Sequence, residues 1–387
     1  MNKTCYNKVG TNVPTLLFFR RIFMKKKLLL LLLFLLLIPG KNVNAKDYTL
    51  KSGKSIKASY AGDLEDSYNY FKIVPSKSGY IAIKITTSNK QPLLVDICNS
   101  NKEVIASDIR IGNKKTVLHK AKKGKVYYVR IKGVKDATFS ISYKIDTFSS
   151  FTYAKKYNYT FTNASFTNEG NPLLLKLKTS KSGVLNFMCN TDNKLVVKYY
   201  NSRKKAVSKN ILLENNNLSG IGVKSKTVYY IKLWNVENKT SGTTTIKNIK
   251  YQIKGLETAK NTTRGKSSIL SKKKKKEGLV IADRQNTFWY KIKLQKKQKL
   301  SISIESKLLQ NNGSYLLLDF YNAKGKKITK NSIVIDDEAY VTYRKKKYVM
   351  HYPKKKIVTG QLPKGNYYIR VVSKSKMTSG AFSIVLN

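Results

Sequence analysis

Histidine, the side chain that most often activates a nucleophile, is scarce in this chain. The 387 residues include two histidines, His119 and His351, and neither has the spacing of a metal site or of a base beside a nucleophile. Acyl transfer usually needs a base, a nucleophile and an orienting acid, so the sequence does not predict it. A carboxylate pair leaves no local pattern and could hydrolyse a glycosidic bond, but the 21 Asp and Glu are few and mostly scattered. The sequence therefore predicts a non-catalytic protein and keeps a glycoside hydrolase as a remote alternative.

The tightest group of acidic side chains in the first part of the chain precedes a predicted strand that begins near Tyr68. The group consists of Asp63, Glu65 and Asp66. Oxygen ligands grouped on one loop are what calcium requires, so these residues are a candidate calcium site. The alternative is a solvated turn whose carboxylates offset the surrounding lysines. No cofactor other than calcium is suggested by the residues.

Tyrosine is the other residue type that could carry binding chemistry, with 26 copies in the chain. Three predicted strands contain a Tyr-Tyr pair, and because neighbours in a strand point to opposite faces, one tyrosine of each pair should be buried and the other exposed. Exposed tyrosines can stack on sugars or press against a polymer while adjacent lysines hold anionic groups. Plain surface decoration is the alternative. The predicted polymer-binding residues are Tyr128, Tyr230, Tyr368, Lys345, Lys346 and Lys347.

The chain is strongly basic, with 76 Lys and Arg against 21 Asp and Glu and a formal net charge of +55. Nine of the cations are arginine, which leaves 67 lysines (76 minus 9). Lysine suits diffuse attraction to a polyanion, whereas the arginine fork favours the reading of bases, so sequence-specific nucleic-acid binding is not predicted. An anionic cell-wall polymer is the predicted partner, with an extracellular glycan or protein as the other candidates. The alternative is a lysine-rich composition that only keeps the surface soluble.

The first 45 residues have the organisation of a secretory signal peptide. Met24 is followed by three lysines and the apolar run Leu28 to Ile38, and the segment ends at Ala45. Such a run is too short to span a bilayer comfortably. Met24 is also a candidate start codon, which would make the residues before it an over-long gene prediction. We therefore expect a secreted, extracellular product, with cell-surface association as a further expectation and no transmembrane segment after Ala45.

Strands must position these residues, because one strand-like stretch occurs three times. Each copy is a turn followed by Tyr-Tyr and alternating aliphatic and cationic residues, which is typical of a strand with one buried face. The copies span 123–131, 225–233 and 364–371. Other strand-length runs recur around each copy at nearly constant offsets, and no stretch has the period of a convincing amphipathic helix.

The repeats predict an all-β protein of three tandem, jelly-roll-like antiparallel β-sandwich domains after the signal peptide. The predicted domains are 46–145, a divergent second domain at 146–255, and 256–387, which has an insertion. The basic run Lys272 to Lys276 is expected in a mobile, solvated linker. Two cysteines, Cys98 and Cys189, lie in apolar strand-like runs of different repeats, so we expect buried free thiols, with a disulfide between domains as the alternative.

Four recurring motifs resemble the bacterial pre-peptidase C-terminal domain. In the first repeat they are Tyr70-Phe71-Lys72-Ile73, then Ser76-Lys77-Ser78-Gly79 leading into Tyr80-Ile81-Ala82-Ile83, then Leu93-Leu94-Val95-Asp96-Ile97-Cys98-Asn99, and Lys123-Gly124 with the Tyr127-Tyr128-Val129-Arg130-Ile131 strand. The resemblance is good over 60–145 and 278–387 and weak over 146–255. It implies a jelly-roll β-sandwich of the kind found on secreted peptidases, in a family with collagen-binding members that bind calcium near the edge corresponding to Asp63. No peptidase domain accompanies the repeats in this chain.

Together these patterns predict a secreted, non-catalytic bacterial protein that binds cell-envelope or extracellular polymers through tandem basic β-sandwich modules. Weak sites on three modules would raise each other's effective concentration. The alternative in another class is an accessory or recognition partner of a separate secreted peptidase.

Overall fold

The computed structural model describes residues 46–60, 68–88, 91–133, 136–146, 157–213, 219–308, 315–335, 338–343, 346–351 and 354–387. Regular structure in these ranges is almost entirely β-strand, with two short 3-10 helices at Asn163–Ser165 and Arg264–Lys266. No helix in the described ranges is long and apolar enough to cross a membrane. The predicted all-β, jelly-roll-like antiparallel fold is confirmed, whereas residues 1–45, and with them the predicted signal peptide, lie outside the described residues.

The first sandwich contains nine strands. They are β1 (Lys46–Thr49), β2 (Ser55–Ser59), β3 (Asn69–Ile73), β4 (Gly79–Thr87), β5 (Leu93–Cys98), β6 (Val104–Ile111), β7 (Lys114–Ala121), β8 (Tyr127–Lys132) and β9 (Thr138–Asp146). The front sheet has the order β1-β3-β8-β5-β6, and the strands behind it have the order β7-β4-β9-β2. Alternate side chains such as Phe71, Ile83 and Val129 point between the two layers and are buried in one cluster.

The second sandwich repeats this arrangement with eight strands. They are β10 (Tyr157–Thr162), β11 (Leu173–Lys178), β12 (Gly183–Thr191), β13 (Leu195–Tyr200), β14 (Ile211–Leu213), β15 (Ser219–Val223), β16 (Val228–Asn235) and β17 (Thr243–Gly255). Its front sheet is β11-β16-β13-β14 and its back strands are β15-β12-β17-β10. Leu175, Tyr199 and Ile231 are among the buried side chains of its core.

The third sandwich is the longest. Its strands are β18 (Ser268–Ile269), β19 (Lys275–Val280), β20 (Thr287–Leu294), β21 (Gln298–Leu308), β22 (Leu316–Asn322), β23 (Ile333–Ile335), β24 (Glu338–Tyr343), β25 (Lys346–His351), β26 (Lys354–Leu362), β27 (Gly365–Ser373) and β28 (Gly380–Leu386). The front sheet is β18-β20-β27-β22-β23 and the back sheet is β19-β28-β21-β26. The extra length is an antiparallel hairpin of β24 and β25. Tyr290, Ile302 and Phe320 lie in its core.

The first two sandwiches share one continuous sheet. Strand β10 lies parallel to β7, with Phe161 opposite Leu118, so the two sets of back strands form a single eight-stranded sheet. The ring of Tyr80 from the first sandwich packs edge-on against Phe161 at 5.6 Å between centroids, and both belong to the second core. The back strands of the two sandwiches are therefore in direct contact. The predicted domain boundary at residue 145 stays a prediction.

The second and third sandwiches meet at a close backbone approach. Gly222 of β15 lies so near β19 that a Cβ atom placed there would be 2.0 Å from the carbonyl oxygen of Val280. The amide of Gly222 donates to Ser379 Oγ at 2.6 Å, and its carbonyl accepts from the amide of Ala282 at 3.0 Å. Ala282 itself is buried in the second core. The same strand position, β7 in one sandwich and β15 in the next, therefore forms both junctions.

The basic run Lys272 to Lys276 does not form a free linker. Its last two residues begin β19, where Lys275 pairs with Val385 and Lys276 with Ile384 of the final strand. Leu270, just before the run, is buried in the third core. Strand pairing explains the difference, because lysine is tolerated on the exposed side of an edge strand.

Candidate functional site

The outer surface of each front sheet is organised around a cation on the repeated Tyr-Tyr strand. This central cation lies directly opposite a charged residue of the neighbouring strand. The second tyrosine of the Tyr-Tyr pair lies two positions before the cation and on the same side of the sheet. The three cross-strand pairs are Arg130 with Asp96, Lys232 with Lys198, and Arg370 with Asp319. We call the surfaces around them the first, second and third outer faces. Side chains directly opposite each other on neighbouring strands are close enough to interact, so the residues of each face affect one another.

In the first outer face, the central arginine is held by a buried carboxylate. Arg130 donates to Asp96 Oδ2 from Nε at 3.0 Å and from Nη2 at 2.6 Å, and the Asp96 side chain is 8% exposed. A nearly buried carboxylate with two charge-assisted hydrogen bonds is fixed in place. The guanidinium also lies 4.5 Å from the centre of the Tyr68 ring.

A lysine orders the remaining rings of the first outer face. Lys102 Nζ lies 4.5 Å from the centre of the Tyr70 ring and 5.4 Å from that of Tyr128. The two rings meet edge-on at 6.2 Å. Lys102 also donates to Asp47 at 3.0 Å, and this hydrogen bond raises the pKa of the lysine. The ammonium group therefore stays charged and attracted to the electron-rich ring faces.

The third outer face has the same plan with larger aromatic area. Trp289 and Tyr321 lie on β20 and β22, the strands that flank β27, and the guanidinium of Arg370 is 5.9 and 5.5 Å from their ring centres. The two rings approach to 5.1 Å. Trp289 stands across from Arg370 in the strand register, as Tyr70 stands across from Arg130.

Asp319 anchors the third outer face from beneath. It accepts from Arg370 Nη2 at 2.7 Å, from Lys327 Nζ at 2.8 Å and from Ser332 Oγ at 2.7 Å, and its side chain is 1% exposed. Burial works to raise the pKa of this carboxyl group, but the hydrogen bonds from Lys327, Ser332 and Arg370 outweigh burial and leave the pKa below its usual value. The carboxylate is therefore ionised at neutral pH.

The second outer face departs from this plan. The position of Asp96 and Asp319 is taken by Lys198, and the anion comes instead from Glu169, in the loop before β11. Lys232 Nζ lies 4.7 Å from the centre of the Tyr200 ring. Two lysines thus stand side by side where the other faces have an arginine and an aspartate.

The predicted binding tyrosines lie on these faces. Tyr128, Tyr230 and Tyr368 are half-buried on the outer side, and Arg264 lies 5.5 Å from the Tyr368 ring centre. Their neighbours in the three Tyr-Tyr pairs turn inward: Tyr229 and Tyr367 are buried and Tyr127 packs against the first core. Polymer binding by these tyrosines stays a prediction.

The other predicted site residues fall partly outside the described residues. Asp63, Glu65, Asp66 and Lys345 all lie outside them. Lys346 and Lys347 belong to β25, where only the backbone is described. Among the residues whose side chains are described, no group of three His, Cys, Asp or Glu could hold a metal ion. The calcium prediction at the acidic loop remains untested.

His119 and the two cysteines of the described ranges are buried. His119 Nδ1 is 2.9 Å from Thr162 Oγ1 across the first junction, and burial lowers the pKa of the imidazole to about 4. Cys98 and Cys189 are unpaired, in agreement with the first of the two interpretations of the sequence. Burial raises the pKa of Cys98 to about 11 and that of Cys189 to about 12, so neither is a reactive thiolate at neutral pH.

Several residues of the outer faces were not singled out in the sequence. The aligned repeats did contain a usable signal, because Tyr70 and Trp289 occupy equivalent positions, as do Asp96 and Asp319. Glu169 had no such signal, since it belongs to a loop that only the second repeat uses in this way.

No family model matches the chain, and no curated protein matches it. Among solved structures, the pre-peptidase C-terminal domain of collagenase from Bacillus anthracis is 20% identical and covers 27% of this chain and 99% of that domain, with a TM-score of 0.22. A protein of an archaeal virus with a triple jelly roll fold is 11% identical over 87% of this chain and 89% of its own, with a TM-score of 0.25. A tandem pair of CBM22 domains from Paenibacillus barcinonensis is 7% identical over 61% of this chain and 91% of its own, with a TM-score of 0.20. At these values the similarities carry no argument about function.

Proposed function

We propose that this chain is an exported, non-catalytic protein whose three outer faces bind an extracellular anionic polymer. One observation carries the proposal: the same cross-strand position of three front sheets holds a cation beside aromatic rings, and in each case the cation is on the outer side. In the first and third faces the adjacent rings of Tyr68, Trp289 and Tyr321 remain partly exposed, which a cation buried for stability alone would not need. In the second face the ring beside Lys232, that of Tyr200, is buried, and Tyr230 supplies the partly exposed ring. The recurrence therefore favours binding over decoration.

The cations support binding because they order the rings before a ligand arrives. Lys102 lies over Tyr70 and Tyr128, and Arg370 lies beside both Trp289 and Tyr321. A ring that is already held loses less conformational freedom on binding, which leaves more of the contact energy as affinity. Flat aromatic faces with polar edges suit the apolar faces of sugar rings.

The net charge supports an anionic polymer. Residues 46–387 carry eight cations fewer than the whole chain, so their formal charge is 68 minus 21, or +47. In the first and third outer faces an aspartate pairs with the central arginine, so long-range attraction must come from the surrounding lysines. Such attraction between exposed charges extends over a Debye length of about 8 Å at physiological salt and weakens as salt rises. Charge would bring the polymer to the protein, and the rings would hold it.

Three faces on one chain make the binding multivalent. Once one face holds the polymer, the other two encounter it at a high effective concentration. Loss of one face should therefore weaken attachment by a larger factor than the intrinsic affinity of that face suggests, without abolishing it.

The test is co-sedimentation of residues 46–387 with purified Gram-positive cell walls, before and after removal of teichoic acids, over a salt series. The decisive variant replaces Tyr128, Tyr230 and Tyr368 together by alanine. We expect it to bind about a hundredfold more weakly, because the loss of a well-packed aromatic contact is worth roughly 1 kcal/mol at each face, or about 3 kcal/mol when all three faces are engaged.

The control replaces Asn190, Gln252 and Val358 by alanine, since these exposed side chains lie on the back strands β12, β17 and β26 and outside the three outer faces. The control should bind as the unchanged protein does. Equal binding by the tyrosine variant would overturn the assignment of the faces, and an absence of binding to every anionic wall preparation would overturn the proposed function.

A further inference from the structure

The second outer face differs from the others in the origin of its anion. In the first and third faces, the carboxylate belongs to a strand of the front sheet and is 8% or 1% exposed, in Asp96 and Asp319 respectively. In the second face, Lys198 takes that strand position, and the carboxylate of Glu169 reaches in from a loop with 44% of its side chain exposed. The carboxylate of the second outer face therefore lies on a loop outside the sheet, and it is more exposed than the carboxylates of the other two faces.

Glu169 is held by side chains that would suit a ligand oxyanion. Lys198 Nζ donates to the two carboxylate oxygens at 2.9 and 3.1 Å, and the Tyr200 hydroxyl donates to Oε1 at 2.5 Å. Lys232 Nζ donates to the backbone carbonyl of Glu169 at 3.4 Å. One ammonium group and one hydroxyl therefore hold the carboxylate, and a second ammonium group, bound to the backbone carbonyl of the same residue, adds positive charge beside it. Donors of this kind bind carboxylate or phosphate groups.

The loop that carries Glu169 is a tight turn whose backbone is held in place. Asn168 Oδ1 accepts from the amides of Gly170 and Asn171, and Asn168 and Asn171 form an isolated bridge outside the named strands. The Glu169 side chain is 44% exposed and makes no strand pairing, so its withdrawal from Lys198 would leave the backbone pairing of the front sheet intact. The aspartates of the other two faces lack this freedom, since both lie in strands.

Glu169 is a permanent competitor for these donors at neutral pH. The hydrogen bonds from Tyr200 and Lys198 hold the pKa of its carboxyl group below the usual value. The local charge is +1 when Glu169 is present beside Lys198 and Lys232, and +2 when it has moved away. An incoming oxyanion thus meets a site that becomes more favourable as Glu169 leaves.

We propose that Lys198, Lys232 and Tyr200 form an oxyanion-binding site that Glu169 occupies in the free protein and that a carboxylate or phosphate group of the ligand takes over. The inference rests on the proposed function, because it names the chemical group that the second outer face recognises on the polymer. Glu169 then acts as an internal stand-in for the ligand, which lowers affinity for isolated small anions and favours polymers that engage the other faces at the same time.

The test is the substitution Glu169→Gln in residues 46–387, which removes the competing charge but keeps the size of the side chain. Inorganic phosphate and glucuronate are titrated separately and followed by calorimetry and by the NMR signals of the lysine side chains. We expect at least one of the two anions to bind about tenfold more tightly to the variant, and the stronger of them identifies a phosphate or a carboxylate as the group recognised. Adding Lys198→Gln to the variant should remove this gain.

The matched control is Glu277→Gln, which changes the net charge equally at an exposed acid that pairs with Lys275 on another sandwich. An equal gain from both single substitutions, or no gain from Glu169→Gln with either anion, would overturn the inference. Wall binding by the unchanged protein in either of these cases would leave the proposed function standing. A specific gain from Glu169→Gln without any wall binding would retain the oxyanion site and overturn the polymer proposal.

Discussion

Acid should weaken the first junction through His119. The imidazole is buried at the contact of the first two sandwiches, its Nδ1 meets Thr162 Oγ1, and Tyr127 covers it edge-on at 5.9 Å between ring centres. Thr162 Oγ1 is in turn 2.7 Å from Ser165 Oγ, which accepts from the amide of Lys120 at 2.9 Å. Burial of the ring away from bulk solvent disfavours an added proton, so the folded protein favours the neutral ring.

The size of the effect follows from the two pKa values. Burial lowers the pKa of His119 from 6.5 to about 4 in the folded protein. Above pH 6.5 the ring is neutral in both the folded and the unfolded chain and adds no pH dependence. Between pH 6.5 and about 4 the unfolded chain binds a proton that the folded protein does not, so the free energy of unfolding falls as pH falls, by about 3 kcal/mol in total, since one pKa unit corresponds to about 1.4 kcal/mol.

The assay compares this protein with its His119→Gln variant, which can keep a hydrogen bond to Thr162 but does not titrate. Both carry Trp289→Phe, so that Trp234 of the second sandwich is the remaining tryptophan and reports unfolding by denaturant. Between pH 7 and pH 4 the protein with His119 should lose about 3 kcal/mol more than the variant, because the carboxylates titrate equally in both. Parallel losses in the two proteins would refute the assignment of the pH dependence to His119.

Two further predictions concern the second junction and the thiols. Gly222→Ala should reduce the free energy of unfolding by about 1–3 kcal/mol, because its Cβ would lie 2.0 Å from a backbone oxygen, whereas Gly265→Ala, in open space, should have little effect; equal denaturation midpoints for the two variants would contradict the close approach. Cys98 and Cys189 should react slowly with a thiol-specific reagent at pH 8 and rapidly once denatured, because burial blocks access and raises both pKa values; fast reaction of the native protein would show that they are exposed.

The architecture was predictable because its signals are local. Strands β8, β16 and β27 each contain a Tyr-Tyr pair within a period-two pattern, and that alternation alone decides which side chains face the core. The extra length of the third repeat similarly indicated an insertion, which includes the β24–β25 hairpin. The prediction of a linker at Lys272 to Lys276 was wrong because a run of lysines indicates only that the segment is exposed to solvent. An edge strand can be as exposed as a linker.

The outer faces were only partly predictable because their charges pair across strands. Asp96 and Arg130 are distant in sequence, and their hydrogen bonds depend on the register of β5 against β8, which no local pattern sets. The repeats could have supplied that register, since Asp319 and Arg370 pair in the same way. Glu169 could not have been found like this, because a loop residue that reaches over a sheet has no fixed place in a strand alignment.

The two junctions determine how the three faces can act together. Ala82 and Leu118, on the back of the first sandwich, pack against the second core, and Leu118 is 3% exposed. The cross-strand pair at the equivalent register of the third sandwich is Ser301 with Val358, and Val358 is 54% exposed. The back of the third sandwich therefore lacks the apolar pair that the first offers to its neighbour. Because both junctions bury backbone and side chains instead of relying on a free linker, the proposed polymer would have to match the spacing of the three outer faces to engage all of them at once.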